Sequence, residues 1–143
     1  MANKLSESNK ARFYNFIVQY EKELCQDFGK FNIKDQTLAS FCESNRILLG
    51  SDCTSNSNKI SQYKYYILWD DRKPEKYKVK GNDSVHNLLR HLRNAMAHGN
   101  IISENQQKFS LADFNENKRR TMRGKISCTL LFSLLSCLIQ TYK

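Results

Sequence analysis

The sequence predicts a mostly α-helical fold that carries one small β-hairpin. Apolar residues recur every three or four positions over most of the chain, which is the period of a helix packed on a core. Strict alternation, the pattern of a half-buried strand, is confined to short segments after residue 76. A chain of 143 residues with 40% hydrophobic residues can bury one core. We therefore expect a single domain over residues 1–143.

The N-terminal third of the chain predicts two helices. The first should run from residue 6 or 8 to residue 28, where Gly29 is a plausible C-terminal stop. The second should run over residues 35–50, because Leu, Phe and Cys side chains repeat there at helical spacing. Residues 51–58 are rich in Ser, Asn and Asp and are predicted to form a loop.

The segment over residues 59–80 leaves two interpretations open. Its Tyr, Ile, Leu and Trp residues between Tyr63 and Trp69 are typical of a strand. They fit equally well on a helix that begins at Ile60. Residues 70–74 then break the chain, and the alternation over 77–80 indicates a short strand.

The clearest helix follows the polar residues 82–84, which offer N-caps. It carries one apolar stripe, at spacings of four, three and four, formed by Val85, Leu89, Leu92 and Met96. Polar or small residues fall on another face, and the helix should stop at His98. The reason is that Gly99 and Asn100 both tolerate the left-handed backbone that ends many helices.

The last third of the chain predicts a hairpin and a closing helix. Residues 108–113 alternate and can pair with residues 123–126 across the basic loop 115–122. A final helix should be capped at Ser127 or Thr129 and end near Tyr142. The apolar run over 126–139 is interrupted by hydroxyl residues and falls short of the ~18–20 residues of a membrane span. We expect a buried helix and no membrane partner.

Composition indicates the class of binding partner and the cellular compartment. A formal net charge of +9 favours a polyanionic partner, with nucleic acid first and an anionic membrane surface second. A basic surface with no partner is the alternative. The five cysteines contain no Cys-x-x-Cys pair, and most lie among apolar residues. With a polar start that lacks a signal peptide, this predicts a cytoplasmic protein.

The end of the clearest helix carries groups that suit phosphodiester chemistry. Arg93 can bind a phosphate with two hydrogen bonds and stabilise developing charge. His98 can accept or give a proton near neutral pH, and Asn94 can position either group. RNA supplies its own nucleophile, the 2′-hydroxyl. We therefore expect a catalytic set of these three residues that needs no metal and no other cofactor.

The run Arg-Asn-Ala-Met-Ala-His-Gly-Asn-Ile at residues 93–101 resembles the motif of the HEPN superfamily, in the form found in small stand-alone prokaryotic proteins. The resemblance implies a helical bundle with a small β-hairpin after the motif helix. It also implies a homodimer whose two Arg/His sets face a shared cleft. It suggests a metal-independent endoribonuclease in a toxin, abortive-infection or antiviral defence setting. A cognate antitoxin or a nucleotidyltransferase is then a possible further partner.

Two alternatives remain at this point. The chain can be a catalytically inactive HEPN module that binds RNA or a protein, with the motif serving only to cap a helix. The residues expected to bind RNA also have plainer interpretations. Histidines at 86 and 91 are more often surface residues than ligands, and the basic loop fits a solvated surface as well as a phosphate-binding one. The expected RNA-binding set is Arg90, His91, Lys118, Arg119, Arg120 and Arg123.

Overall fold

A five-stranded mixed sheet forms the centre of the fold, in a computed structural model that describes residues 5–53, 57–72, 83–105 and 107–143. The helices are α1 (Glu7–Lys22), α2 (Gln36–Ser44), α3 (Ser57–Ile60), α4 (Ser84–Ala97) and α5 (Cys128–Gln140). The strands are β1 (Ile47–Gly50), β2 (Tyr65–Trp69), β3 (Ile101–Asn105), β4 (Lys108–Phe114) and β5 (Arg120–Ser127).

The sheet order is β1-β2-β5-β4-β3, with β1 parallel to β2 and the other neighbours antiparallel. Side chains from α1, α4 and α5 and from one sheet face form a common apolar core. Alternate residues of β4 and β5 point into it, which the burial pattern of both strands shows directly. The prediction of a mostly α-helical bundle with one small hairpin was therefore wrong, because a complete sheet carries the helices.

The second predicted helix fails at its C-terminal half. Helix α2 ends at Ser44, and Arg46 then adopts a left-handed backbone with φ of 54° that turns the chain. Ile47–Gly50 becomes β1 and pairs with β2. A short Ile-Leu-Leu run has no period of its own and fits a buried strand as well as a helix. The neighbouring strand decides between them, and the sequence pattern does not show that neighbour.

The hairpin prediction is confirmed, but the sheet extends beyond it on both sides. Phe109 pairs with Ile126 in the β4–β5 ladder, as the alternation indicated. The chain also enters β3 directly after Gly99, and β3 pairs with β4. The strand interpretation of Tyr63–Trp69 is confirmed by β2 over Tyr65–Trp69, and the alternative helix beginning at Ile60 is wrong because α3 ends at that residue. The strand expected over 77–80 lies outside the described residues.

The predicted helix starts agree with the structure. The side chains of Ser6, Asp83 and Ser127 each accept a backbone N–H and cap α1, α4 and α5. Helix α1 ends earlier than expected, at Lys22, and a short 3-10 turn leads on to Gly29. In the part of the chain that the structure describes, no helix is long and apolar enough to cross a membrane.

Asp83 does more than cap α4, because it also fastens the loop after α1. One carboxylate oxygen accepts the backbone N–H of His86 at 2.9 Å. The other accepts the N–H groups of Gly29 at 2.8 Å and Phe31 at 3.1 Å. The N-terminal end of α4 is thus tied to the chain that leads away from α1.

His86 is buried, although a surface position was expected. Its ring packs near the rings of Tyr20, Phe28 and Phe31, and Nε2 lies 3.1 Å from the carbonyl oxygen of Leu24. Burial lowers the pKa of His86 below its ordinary value of 6.5, against the opposing effect of the Asp83 carboxylate. The core therefore holds this imidazole in its neutral form.

We predict that the free energy of unfolding falls as the pH drops below 6.5. Above that value the histidine is neutral in both the folded and the unfolded chain. Below it the unfolded chain takes up a proton that the folded chain refuses, at a cost of up to about 1.4 kcal/mol per pH unit. Urea unfolding between pH 7 and 5.5 measures this slope. His86→Gln should flatten it and His98→Ala should not; the same slope in both variants would contradict the assignment.

Candidate active site at the end of helix α4

The C-terminus of α4 is closed by two backbone hydrogen bonds of the Schellman type. Gly99 has φ of 73°, the left-handed conformation that the sequence predicted. Its N–H donates to the carbonyl of Met96 at 3.4 Å, and the N–H of Asn100 donates to the carbonyl of Ala95 at 2.8 Å. A Cβ at Gly99 would meet no atom within 4 Å, so the backbone angle is the constraint there and not the space.

This ending presents His98 to solvent. The residue is the C-cap of α4, and its neighbours Ala97 and Gly99 are exposed as well. Within the described parts of the chain, the imidazole makes no hydrogen bond or ion pair. The helix end therefore offers an accessible ring with both nitrogens available, flanked by small residues that allow another molecule to approach closely.

Arg93 lies one turn before the helix end and is held by two partners. Its Nη1 donates to the side-chain oxygen of Asn94 at 2.9 Å, and its Nη2 forms an ion pair with Glu21 of α1. The side chain is 29% exposed. Two of its five N–H groups are thus engaged, and the guanidinium keeps donors for another acceptor. The structure does not bring Arg93 and His98 into contact within one chain.

Asn94 connects Arg93 to a buried acid on the sheet. Its amide nitrogen lies 3.4 Å from a carboxylate oxygen of Asp113, a buried residue near the C-terminal end of β4. The same oxygen lies 2.8 Å from Nδ1 of His91. The other carboxylate oxygen accepts the N–H of Phe114 at 2.9 Å. One acid therefore joins the motif helix to the sheet and orients two of its polar side chains.

His91 is part of this buried network and is not a surface residue. It is 3% exposed, and Asp113 is 2% exposed. Its Nε2 lies 2.9 Å from the backbone carbonyl oxygen of Asp70. Both ring nitrogens thus have a hydrogen-bond partner inside the protein. This arrangement suits a structural role for His91. It does not suit exchange of protons with a substrate.

The sequence interpretation missed Asp113, although the sequence contains a signal for it. The residue continues the inward-facing row of Phe109 and Leu111 in an alternating strand. A charged residue at an apolar position of such a row is buried, and a buried acid needs a partner. What the sequence does not show is which residue of the helix meets it.

A cavity of about 500 Å³ opens between α4 and the end of the hairpin. Three residues expected at the site, Arg90, His91 and Asn94, lie along it. Arg93 and His98 do not line it, since Arg93 turns towards α1 and His98 lies at the helix end. The expected site residues thus fall into two adjacent groups that share the helix.

The cations of the basic loop do not line this cavity. Lys118, Arg119 and Arg120 are exposed, and Lys118 has φ of 63° in the turn between β4 and β5. Arg123 is set apart from them, because its Nε donates to the backbone carbonyl of Cys53 at 2.9 Å. Its guanidinium also lies 5.9 Å from the ring centre of Tyr66. The loop therefore offers three exposed cations rather than four.

These features define a protein organised around an Arg-x4-His helix end that a sheet supports. A family model described as HEPN pEK499 p136 matches residues 10–143. The chain therefore belongs to the HEPN pEK499 p136 family, as the motif at residues 93–101 indicated. Searches of curated proteins and of solved structures find no match to the chain.

We predict that the buried pair of His91 and Asp113 contributes strongly to stability. Asp113→Ala removes the acceptor of the ring and leaves a buried group unpaired, which costs about 3–5 kcal/mol of unfolding free energy. Glu116→Ala, at an exposed position just after β4, should change it by less than about 0.5 kcal/mol. Urea denaturation of both variants measures the difference. Equal stability of the two would show that the buried pair is dispensable.

Proposed function

We propose that this protein is a metal-independent endoribonuclease that acts as a homodimer. The observation that carries the proposal is the end of α4, where an exposed imidazole follows an arginine that is oriented by an amide and an acid. Family membership supports it, because the matched region includes the whole motif. The high positive charge of the chain favours an RNA partner.

The chemistry follows from the groups present. The Arg93 guanidinium binds a non-bridging phosphate oxygen and stabilises the charge that develops there. His98 removes the proton from the 2′-hydroxyl, whose oxygen then attacks the adjacent phosphorus. The bond from phosphorus to the 5′-oxygen breaks, and that oxygen receives a proton. The products are a 2′,3′-cyclic phosphate and a free 5′-hydroxyl. The step consumes no water and requires no metal ion.

This reaction requires one group that takes a proton and one that gives a proton. A single chain presents one accessible imidazole at the helix end, and His91 is occupied on both nitrogens. A second copy placed against the same helix end supplies the second imidazole. The small exposed residues Ala97 and Gly99 allow the two helix ends to approach. The homodimer therefore completes the site, because each chain contributes one of the two imidazoles.

A nuclease of this kind needs restraint in its own cell. We extend the proposal to a toxin or antiviral defence role, because an enzyme that reads only the RNA backbone also damages host RNA. A cognate antitoxin that covers the exposed helix end would silence it. A nucleotidyltransferase that modifies the chain near the site would have the same effect.

The first test of the proposal is RNA cleavage in the presence of EDTA. Arg93→Ala and His98→Ala should each reduce the cleavage rate of the purified protein by about 10²-fold or more, as expected for loss of a charge stabiliser or a proton-transfer group. Lys22→Ala, a cation on the neighbouring helix, is the matched control and should cleave normally. All variants should show the wild-type circular dichroism spectrum.

Two results would contradict the enzymatic part of the proposal. One is a wild-type protein that binds RNA without cleaving it, which favours the inactive binding module. The other is cleavage that persists in both motif variants, which places the activity elsewhere in the chain or in a contaminant.

The second test concerns the dimer. Ala97→Arg places a large cation at the exposed helix end and should convert a dimer into a monomer with loss of cleavage. Ala11→Arg, at an exposed position of α1, should leave the dimer intact. Light scattering at micromolar concentration should give twice the chain mass of 16.8 kDa for the wild type and the control. A monomeric wild-type protein that cleaves RNA would refute the shared site.

The third test concerns the basic loop. If its exposed cations contact phosphates, the triple variant Lys118→Gln, Arg119→Gln and Arg120→Gln should bind all RNA sequences more weakly. The slope of log affinity against log salt should fall by roughly 0.7 for each lost contact with single-stranded RNA. Arg123→Gln should change the slope least, since the Arg123 side chain already donates to the backbone carbonyl of Cys53. An unchanged slope in the triple variant would show that the loop cations do not contact RNA.

A further inference from the structure

The cavity beside α4 is not used by the mechanism, and we propose that it binds one nucleotide of the RNA next to the cleaved phosphodiester. This inference rests on the proposed function and adds a substrate subsite to it. Helix α4 contributes Arg90, His91 and Asn94 to the lining, and the hairpin contributes Asp113, Phe114 and Glu116. The volume of about 500 Å³ lies within the range of ordinary ligand pockets.

The inner wall of the cavity is rigid. His91 and Asp113 are almost fully buried and hydrogen-bonded to each other, and Asp113 also holds the amide of Asn94. A wall of this kind does not need to be ordered when a ligand enters, which lowers the cost of binding. Polar groups along the lining of a pocket can fix the orientation of a ligand.

Phe114 gives the cavity a surface for a base. It is the last residue of β4, and its side chain is 44% exposed while it lines the cavity. An exposed aromatic ring at the rim of a polar pocket has no role in the core. Bases of single-stranded RNA stack on such rings, and this contact tolerates any base.

Arg90 gives the cavity a cation with unused capacity. Its Nη2 donates to the backbone carbonyl of Arg72 at 3.3 Å, which holds the guanidinium in place. Its Nε is buried and has no hydrogen-bond partner among the described residues. The terminal nitrogens of the guanidinium keep further N–H donors, and Arg90 lines the cavity. A phosphate oxygen is the acceptor that an arginine prefers.

The charge balance of the cavity favours a ligand with a single phosphate over a polyphosphate. The two cations Arg72 and Arg90 are accompanied by the carboxylates of Asp70, Asp113 and Glu116. Asp70 already pairs with Arg72 at 3.3 Å, and Asp113 pairs with His91. Arg90 therefore remains for one phosphate. Glu116 is exposed and can accept from an exocyclic amino group of a base.

The position of the cavity relative to His98 suits an adjacent nucleotide. Asn94 lines the cavity. His98, the C-cap of α4, lies four residues further along the same helix. Side chains at this spacing are neighbours on a helix surface, with Cβ atoms about 5–6 Å apart. An RNA strand with one base in the cavity can pass Asn94 and place its next phosphate at the helix end.

The test measures nucleotide binding directly and does not depend on cleavage. The full-length ¹⁵N-labelled protein is titrated with the four nucleoside 3′-monophosphates. We expect chemical-shift changes at Phe114, Glu116 and the C-terminal half of α4. Phe114→Ala should weaken binding by roughly 5- to 150-fold, the range for loss of one stacked base. Arg90→Gln should weaken it roughly tenfold or more.

Matched controls separate the cavity from general effects. Tyr14→Ala removes an exposed aromatic ring on α1, and Arg12→Gln removes a cation on the same helix; neither residue lines the cavity. Both should bind the nucleotides like the wild type. Shifts confined to Lys118, Arg119 and Arg120, or equal weakening in the controls, would overturn the proposal.

The outcome is distinguishable from failure of the nuclease proposal. Nucleotide binding that Phe114→Ala weakens, in a protein that cleaves no RNA, supports the cavity and refutes the catalysis. RNA cleavage that depends on His98 but is unchanged in Phe114→Ala and Arg90→Gln, with no nucleotide binding at the cavity, supports the nuclease and overturns the subsite.

Discussion

The carboxylate of Asp113 is the contact on which the candidate site depends. It lies at the end of a sheet strand, yet it holds two polar side chains of α4. Through Asn94 it also reaches the guanidinium of Arg93, which Glu21 of α1 holds from the other side. The polar surface of α4 is thus held by the sheet and by a second helix. Preorganised groups of this kind are what charge stabilisation in catalysis requires.

The helix end adds the accessible part of the site. The left-handed backbone at Gly99 both ends α4 and starts the edge strand β3, so one residue fixes the helix end and the sheet edge together. His98 is left exposed at this corner, while His86 and His91 are buried in networks of their own. The chain therefore holds three histidines with different roles: one core residue, one that joins the helix to the sheet, and one that can meet a substrate.

The motif helix and its ending could be predicted from the sequence, because its stripe, cap and glycine stop are local signals. The sheet could not. Ile47–Gly50 has no period that separates strand from helix, and β3 follows a helix stop that gives no indication of a strand. Burial of His91 was also out of reach, since it depends on Asp113, which lies 22 residues further along the chain. Contacts between distant segments decide these features, and single-sequence patterns do not record them.

In the proposed mechanism the RNA itself supplies the nucleophile at this helix end. Two RNA oligonucleotides that differ only by a 2′-deoxy substitution at the cleaved position, incubated with the protein in EDTA, test this step. We expect cleavage of the unmodified strand to a 2′,3′-cyclic phosphate and a 5′-hydroxyl, and no cleavage at the substituted position. Cleavage of the deoxy-substituted strand at the same position, or products that carry a 5′-phosphate, would contradict the mechanism.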